Sequence, residues 1–289
     1  MFGECHGHLF MNGENYRQAV ALHEAGVNCQ DVRKKLEQYR REGISFFRDG
    51  GDYLGVSRYA RQIAGEYGID YRTPLFAIHK NGHYGKIVGR GFDTMKEYHK
   101  LVLEVKKGQG DFIKVMFSGI LDFATDGHVT GTALSNEEIR EMIHIAHEEG
   151  FAVMAHVNGP RAVLSAIEGG VDSVEHGNFM DEDCFQALAE SDAVWVPTLV
   201  TITNLLGSGR FQEEVIQELA RRQRNGIRRA MKLGGILALG SDAGAFRVLH
   251  GRGIRDEYQE FLKLFGDTPE LDRCLCTGEK KIREKFSRK

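Results

Sequence analysis

No apolar run among these 289 residues is long enough to cross a bilayer, which argues against a membrane protein. The start, Met1-Phe2-Gly3-Glu4, has neither the charged nor the apolar stretch of a secretory leader. Cys5, Cys29, Cys184, Cys274 and Cys276 are odd in number and scattered. They suggest no disulfide framework, so a reducing, cytoplasmic setting is expected. Low-complexity tracts and linkers rich in Pro, Gly or Ser are missing, and residues 1–289 read as one domain. Charge of one sign does not accumulate: the net charge is -3, and no basic stripe invites nucleic acid. The tail Lys280-Lys281-Ile282-Arg283-Glu284-Lys285 is basic and reads as a solvated terminal helix. What is left, 42% hydrophobic and 27% charged residues, is an ordinary globular composition.

Short apolar runs alternate with helical patterns along nearly the whole chain, the signature of βα units around a parallel sheet. Strands are predicted at Gly3–Leu9, Ile44–Arg48, Leu75–His79, Phe112–Phe117, Ala152–His156, Ser173–His176, Val194–Leu199 and Ile236–Gly240. Helices are predicted at Asp31–Arg41, at Ser57–Tyr67 with Ser57 as cap, and at Asp93–Lys106 with Asp93 as cap. Two more are predicted at Asn136–Glu149, opening on Asn136 with a capping pattern, and at Phe211–Lys232. Eight strands, each followed by a helix, suggest an α/β fold of the (β/α)8 TIM-barrel type, which needs about 250 residues. A doubly wound sheet competes, but it usually carries a Gly-rich nucleotide turn after its first strand. Here that strand runs into His6-Gly7-His8.

In a barrel, functional groups gather at the C-terminal ends of the strands. His6 and His8 are two apart, so both are expected to face the barrel interior while Cys5 and Gly7 face away. Two neutral imidazoles on one face form a metal clamp, although adjacent histidines are as often solvated or core residues. The fourth strand carries Lys114 between apolar neighbours; a buried ammonium is costly unless paired or deprotonated. The alternative is a lysine that reaches solvent at the strand end. His156 and Asn158 end the fifth strand, His176 the sixth and Asp242 the eighth. Each has a bland reading, such as a helix cap for Asp242 or backbone-bonded histidines. Together they bring four histidines, a lysine and an aspartate to one predicted mouth.

With these residues in view, the sequence resembles the amidohydrolase superfamily, and most closely its prolidase-like members. The resemblance rests on His6-Gly7-His8, Arg48-Asp49-Gly50-Gly51, Asn81-Gly82-His83, Lys114 and Pro197-Thr198-Leu199. It rests equally on the stretch from Ala155-His156 to Glu175-His176-Gly177 and on Leu239-Gly240-Ser241-Asp242-Ala243-Gly244 followed by His250-Gly251. It implies that His6, His8 and Asp242 bind one divalent ion and that His156 and His176 bind a second. Lys114, carboxylated by carbon dioxide, would bridge the two. Zinc leads for imidazole-rich ligation, with Mn, Fe and Co as alternatives. Two features depart from the family pattern. Glu4 stands where an Asp usually lies, and the small β-sandwich that many members build from both chain ends is expected to be missing. The uncovered edges would then need a partner subunit, such as a second copy in a homo-oligomer, or would reflect trimming.

The implied reaction is cleavage of an amide bond in a dipeptide or N-acyl amino acid by a metal-bridging hydroxide. Asp242 would carry the proton to the leaving amine. His83, Tyr84, Asn158, Arg161 and His250 are candidate substrate contacts, one basic rim residue being expected to hold a carboxylate. The segment Ser118–Ala124 is expected in the pocket wall, and His128, His144 and His147 at the surface. One rival reading within the same fold is a mononuclear deaminase or a cyclic amide or lactone hydrolase. Another, of a different class, is a non-catalytic barrel that binds a metal or small ligand. A metal-free structural barrel is disfavoured, because it would bury six polar groups without compensation.

Overall fold

The computed structural model describes residues 2–125 and 128–288. Ten parallel strands appear among them: β1 (Glu4–Gly7), β2 (Phe46–Asp49), β3 (Asp70–Arg72), β4 (Ala77–Lys80), β5 (Gly89–Phe92), β6 (Ile113–Met116), β7 (Val153–Val157), β8 (Ser173–His176), β9 (Val194–Val196) and β10 (Ile236–Leu237). The helices are α1 (Tyr16–Glu24), α2 (Cys29–Arg41), α3 (Val56–Ile63), α4 (Met95–Lys107), α5 (Asn136–Glu148), α6 (Pro160–Glu168), α7 (Glu182–Glu190), α8 (Val200–Thr203), α9 (Glu213–Leu233), α10 (Arg252–Phe265) and α11 (Pro269–Lys285). The strands pair in the orders β1-β2-β3 and β10-β9-β8-β7-β6-β4-β5. Backbone bonds join the two runs at both seams. Cys5 N–H donates to Leu239 O at 3.1 Å, Asp242 N–H to His6 O at 2.7 Å, and Asp111 N–H to Thr73 O at 2.8 Å. The result is the TIM-type barrel, with one strand in two pieces. The predicted strand Leu75–His79 begins only at Ala77, as β4, because Leu75 adopts a left-handed backbone (φ 71°) after Pro74; β3 and β5 were not among the predicted strands.

Helix starts follow side-chain chemistry, at slightly different residues from those expected. Thr94, not Asp93, caps α4, and Ser135, not Asn136, caps α5. Each forms a reciprocal capping box, with Glu97 and Glu138 respectively. Ser57 does not cap its helix: Gly55 precedes α3, and the buried Ser57 hydroxyl bonds Leu75 O at 3.1 Å. The predicted helix also stops short, because Ala64–Tyr67 tightens into a 3-10 turn.

Side chains alternate across the strands, so Phe112, Met154 and Ala238 pack inside the barrel below the mouth. Ile282 and Phe286, at and just past the end of α11, close that lower layer. Cys5 departs from expectation by joining the same cluster. The register of β1 shifts between Glu4 and Gly7, which lets Cys5 and His6 both turn inward. The rest of the core lies between the barrel and its helices, where Phe47 stacks on Tyr71 and packs edge-on against Tyr39.

Arg48 crosses the interior. It is fully buried and donates to Cys5 O (2.6 Å), Ser173 Oγ (2.8 Å) and Glu175 Oε1 (2.8 Å), tying opposite walls together. Glu4 does the same at the β1–β10 seam by accepting from Ser241 N–H (2.7 Å) and Ser241 Oγ (2.6 Å). Arg48→Met leaves Glu175 as a buried, uncompensated carboxylate, so unfolding free energy should fall by about 3–5 kcal/mol. Urea unfolding measures this, and a loss under about 1 kcal/mol would refute the bridging role.

Glu257 on α10 is buried and accepts from Leu199 N–H (3.0 Å) and Val200 N–H (2.8 Å). Burial outweighs these bonds and pushes its pKa from 4.5 up to about 8. The folded state therefore holds this proton more tightly than the unfolded state, and stability falls as pH climbs from about 4.5 to about 8. Glu257→Gln should flatten that decline in urea midpoints taken at pH 5 and pH 8. An unchanged pH dependence would count against the assignment.

Candidate functional site

The strand ends open on a cavity of about 820 Å³. His6, His8, Lys114, His156, His176 and Asp242 all line it. Lys114 and His156 arrive by alternation, above the inward-facing Phe112 and Met154, whereas His6 is brought in by the register shift of β1. His176 and Asp242 arrive differently. On β8 the inward residue is Glu175, so period two alone would send His176 outward. A left-handed backbone at His176 (φ 66°) turns its ring back over the mouth, and Asp242 has the same conformation (φ 58°). Such backbone strain in non-glycine residues concentrates at functional sites. Gly50 supplies space: a Cβ there would lie 2.2 Å from His8 Cε1, so the ring has no room beside any larger residue.

Each histidine has one ring nitrogen taken by the protein. His6 Nδ1 lies 2.7 Å from Glu175 Oε2; the contact falls outside ideal hydrogen-bond angles, but two lone pairs cannot sit so close without a proton between them. His8 Nδ1 faces Gly51 O at 3.3 Å, and His176 Nδ1 faces Thr198 Oγ1 at 2.7 Å. His156 is reversed, with Nε2 against Gly119 O at 2.9 Å. A carbonyl or carboxylate partner fixes the tautomer of His6, His8 and His156 and leaves the other nitrogen with a lone pair, and the Thr198 hydroxyl fixes the ring angle of His176. His6 Nε2 and His8 Nε2 lie 3.6 and 3.7 Å from Asp242 Oδ1, and ligand atoms of the three residues fit within 4.8 Å of one another. The His156 and His176 rings are 4.6 Å apart.

Electrostatics match. Burial, followed by the Lys114 charge, lowers the pKa of His8 and His156 to about 3, so both imidazoles are neutral near pH 7. Burial lowers Lys114 to about 8, against the opposing pull of Glu175 and Asp242. Burial raises Asp242 to about 6. Lys114 is 1% exposed and its Nζ has no hydrogen-bond partner among the described residues. An orphaned amine among neutral imidazoles and a carboxylate suits cations held with a modified lysine. The donor set therefore fits divalent metal.

The candidate substrate contacts divide. Tyr84 and Asn158 line the cavity. The Tyr84 ring sits 4.9 Å from that of His156, and its phenol has no partner among the described residues. Asn158 is largely committed to the wall: its amide donates to Gly119 O (3.0 Å) and accepts from Asn178 N–H (3.0 Å) and Nδ2 (2.8 Å). The structure does not bring His83, Arg161 or His250 into the lining. The His83 ring is held by Thr132 O at 2.9 Å. Arg161 lies on the exposed face of α6. His250 is buried between the Tyr39 hydroxyl (3.1 Å) and Met11 O (2.7 Å), joining the β1 loop to α2 instead of facing substrate. Ile120–Ala124 do form cavity wall, and His128, His144 and His147 are exposed. Sequence reading missed the supporting groups Arg48, Glu175 and Thr198, whose partners come from distant strands. A carboxylate beside a predicted ligand in Glu175-His176 was the available signal.

The amidohydrolase family pattern matches residues 33–266. The chain belongs to the amidohydrolase family. The matched region begins after His6 and His8, so their place in the site comes from the fold. Ochratoxinase of Aspergillus niger is 29% identical over 233 residues, covering 75% of this chain and 46% of that protein. The chain thus spans about half the length of these curated relatives. Among solved structures, A. niger ochratoxinase superposes with a TM-score of 0.77 at 22% identity, covering 97% of this chain and 69% of that one. A Xaa-Pro dipeptidase with bound methionine superposes with a TM-score of 0.72 at 21% identity, covering 98% and 75%. These superpositions establish a shared fold.

The ring contacts make a spectroscopic prediction. In metal-free protein at pH 7, nitrogen-15 NMR should find His156 as the Nε2–H tautomer and His8 as the Nδ1–H tautomer. The same tautomer at both positions would contradict the arrangement.

Proposed function

We propose that this chain hydrolyses an amide bond in a small carboxylate-bearing substrate, a dipeptide or an N-acyl amino acid, with two divalent cations. The observation that carries the reading is Lys114 Nζ, buried without a partner among four histidines that each have one ring nitrogen held by the protein. His6, His8 and Asp242 would hold one cation, and His156 and His176 the other. Lys114, as a carbamate formed from its neutral amine and carbon dioxide with loss of a proton, would be an anionic ligand to both. Bound zinc or a similar ion would acidify water and polarise the scissile carbonyl.

The remaining steps belong to this chain's own residues. Asp242 accepts the proton of the attacking water and delivers it to the leaving nitrogen as the carbon–nitrogen bond breaks. Glu175 and Thr198 keep the His6 and His176 rings in place while charge shifts around them. Tyr84 faces the cavity with an unused hydroxyl and contacts bound substrate. Apolar groups such as Met116, Leu121 and Leu205 line the same cavity and keep water activity low around the reacting bond. Membership of the amidohydrolase family and the names ochratoxinase and Xaa-Pro dipeptidase borne by its relatives support this class of reaction.

Elemental analysis of protein prepared with zinc and bicarbonate tests the reading. Close to two equivalents of metal are expected, together with hydrolysis of dipeptides or N-acyl amino acids. Lys114→Ala should lose most of the metal and at least about 100-fold in activity while keeping the native circular dichroism spectrum. One equivalent, indifferent to Lys114, would point to a mononuclear enzyme. No metal in well-folded protein would leave a binding barrel.

A further inference from the structure

Arg17 and Arg210 are the two arginines that line the cavity. Most arginines of this chain lie against a carboxylate, Arg33 on Glu66, Arg90 on Glu104 and Arg224 on Glu260 among them. Arg17 and Arg210 make no such pair among the described residues. Arg17 is partly occupied, its Nε donating to Tyr16 OH at 3.2 Å. Arg210 has no side-chain hydrogen bond among the described residues, so none of them meets its five N–H donors.

The Arg210 side chain is nevertheless braced. Its guanidinium carbon lies 4.5 Å from the Phe246 ring centre and 5.3 Å from that of Phe211. Phe211 in turn touches Phe123 at 5.4 Å. Aromatic contact engages the flat face of a guanidinium, whereas a carboxylate binds in the plane along its edge. The rings therefore hold Arg210 and leave its hydrogen-bonding edge open. Beside it the cavity wall is apolar, formed by Leu205, Phe211 and the 36%-exposed Phe246. A charged fork next to an apolar wall suits a free α-carboxylate attached to an apolar side chain.

We propose that Arg210, braced by Phe211 and Phe246, is the carboxylate subsite of this cavity and selects substrates with an apolar C-terminal residue and a free carboxylate. The proposal rests on the amide-hydrolase reading and specifies its substrate. Lys cannot replace Arg210 fully, because an ammonium lacks both the fork and the flat face. The acidic residues in the lining besides Asp242 are Glu14 and Asp122; Asp122 spends Oδ1 on Ala124 N–H at 2.9 Å, and as carboxylates neither offers a donor to an anion.

The test compares N-acetyl-L-leucine with N-acetyl-L-leucinamide on metal-loaded wild type, Arg210→Met and Arg210→Lys. Wild type should prefer the acid. Arg210→Met should raise KM for the acid on the order of 10- to 100-fold, with kcat nearly unchanged and KM for the amide unaffected. Arg210→Lys should fall between. An unchanged KM for the acid, or equal losses for acid and amide, would overturn the proposal. If wild type cleaves neither compound, the amide-hydrolase reading fails for them, and calorimetric binding of N-acetyl-L-leucine decides the subsite. Binding that weakens by the same factor in Arg210→Met supports it, and absent or unaltered binding refutes it.

Discussion

The Glu175 carboxylate is shared between two demands, and much of the molecule is arranged around it. One oxygen takes Arg48 and Ser173; the other faces His6 Nδ1. Arg48 reaches back to the carbonyl of Cys5, beside His6 itself. None of these groups meets water, so each is tolerable only while the others stay in place. The same contacts that hold opposite barrel walls together therefore aim one of the histidines of the site. Barrel closure and site geometry are one energetic problem in this protein.

The mouth of the barrel inverts that logic. Below it, Arg48 and Glu4 are paired; at it, Lys114 Nζ has no hydrogen-bond partner among the described residues. Interiors rarely leave a buried amine unsatisfied, and a site built to receive cations is the economical reason for it. Backbone strain at His176 and Asp242 and the excluded volume at Gly50 are costs borne at the same place. Away from the mouth, α4 and α5 open on reciprocal capping boxes, and the barrel base is a closed apolar layer.

Much of the fold was legible from periodicity. Alternating strands and capped helices specify βα units because burial rewards only one repeat pattern in each segment. The errors were local. Thr94 and Ser135 won the capping positions over Asp93 and Asn136 because each could pair with a Glu three residues on. Cys5 turned inward because β1 changes register, something no single-strand pattern encodes. The third predicted strand starts at Ala77 and not at Leu75 because Leu75 adopts a conformation that propensity disfavours.

For the site, the sequence alone determined which chemistry was on offer. Histidines two apart, a lysine inside an apolar strand and an aspartate after a glycine-rich strand end are properties of the chain. Whether they meet was decided by tertiary structure, because His6 and Asp242 are separated by almost the whole sequence and approach to 3.6 Å only when the first and last strands close the barrel. Tertiary structure also sorted the rim, drawing Tyr84 and Arg210 into the cavity while Thr132, Met11 and Tyr39 held His83 and His250 elsewhere. Residue type sets what a side chain can do; the partner that satisfies its hydrogen bonds decides where it does it, and in this chain those partners are long-range.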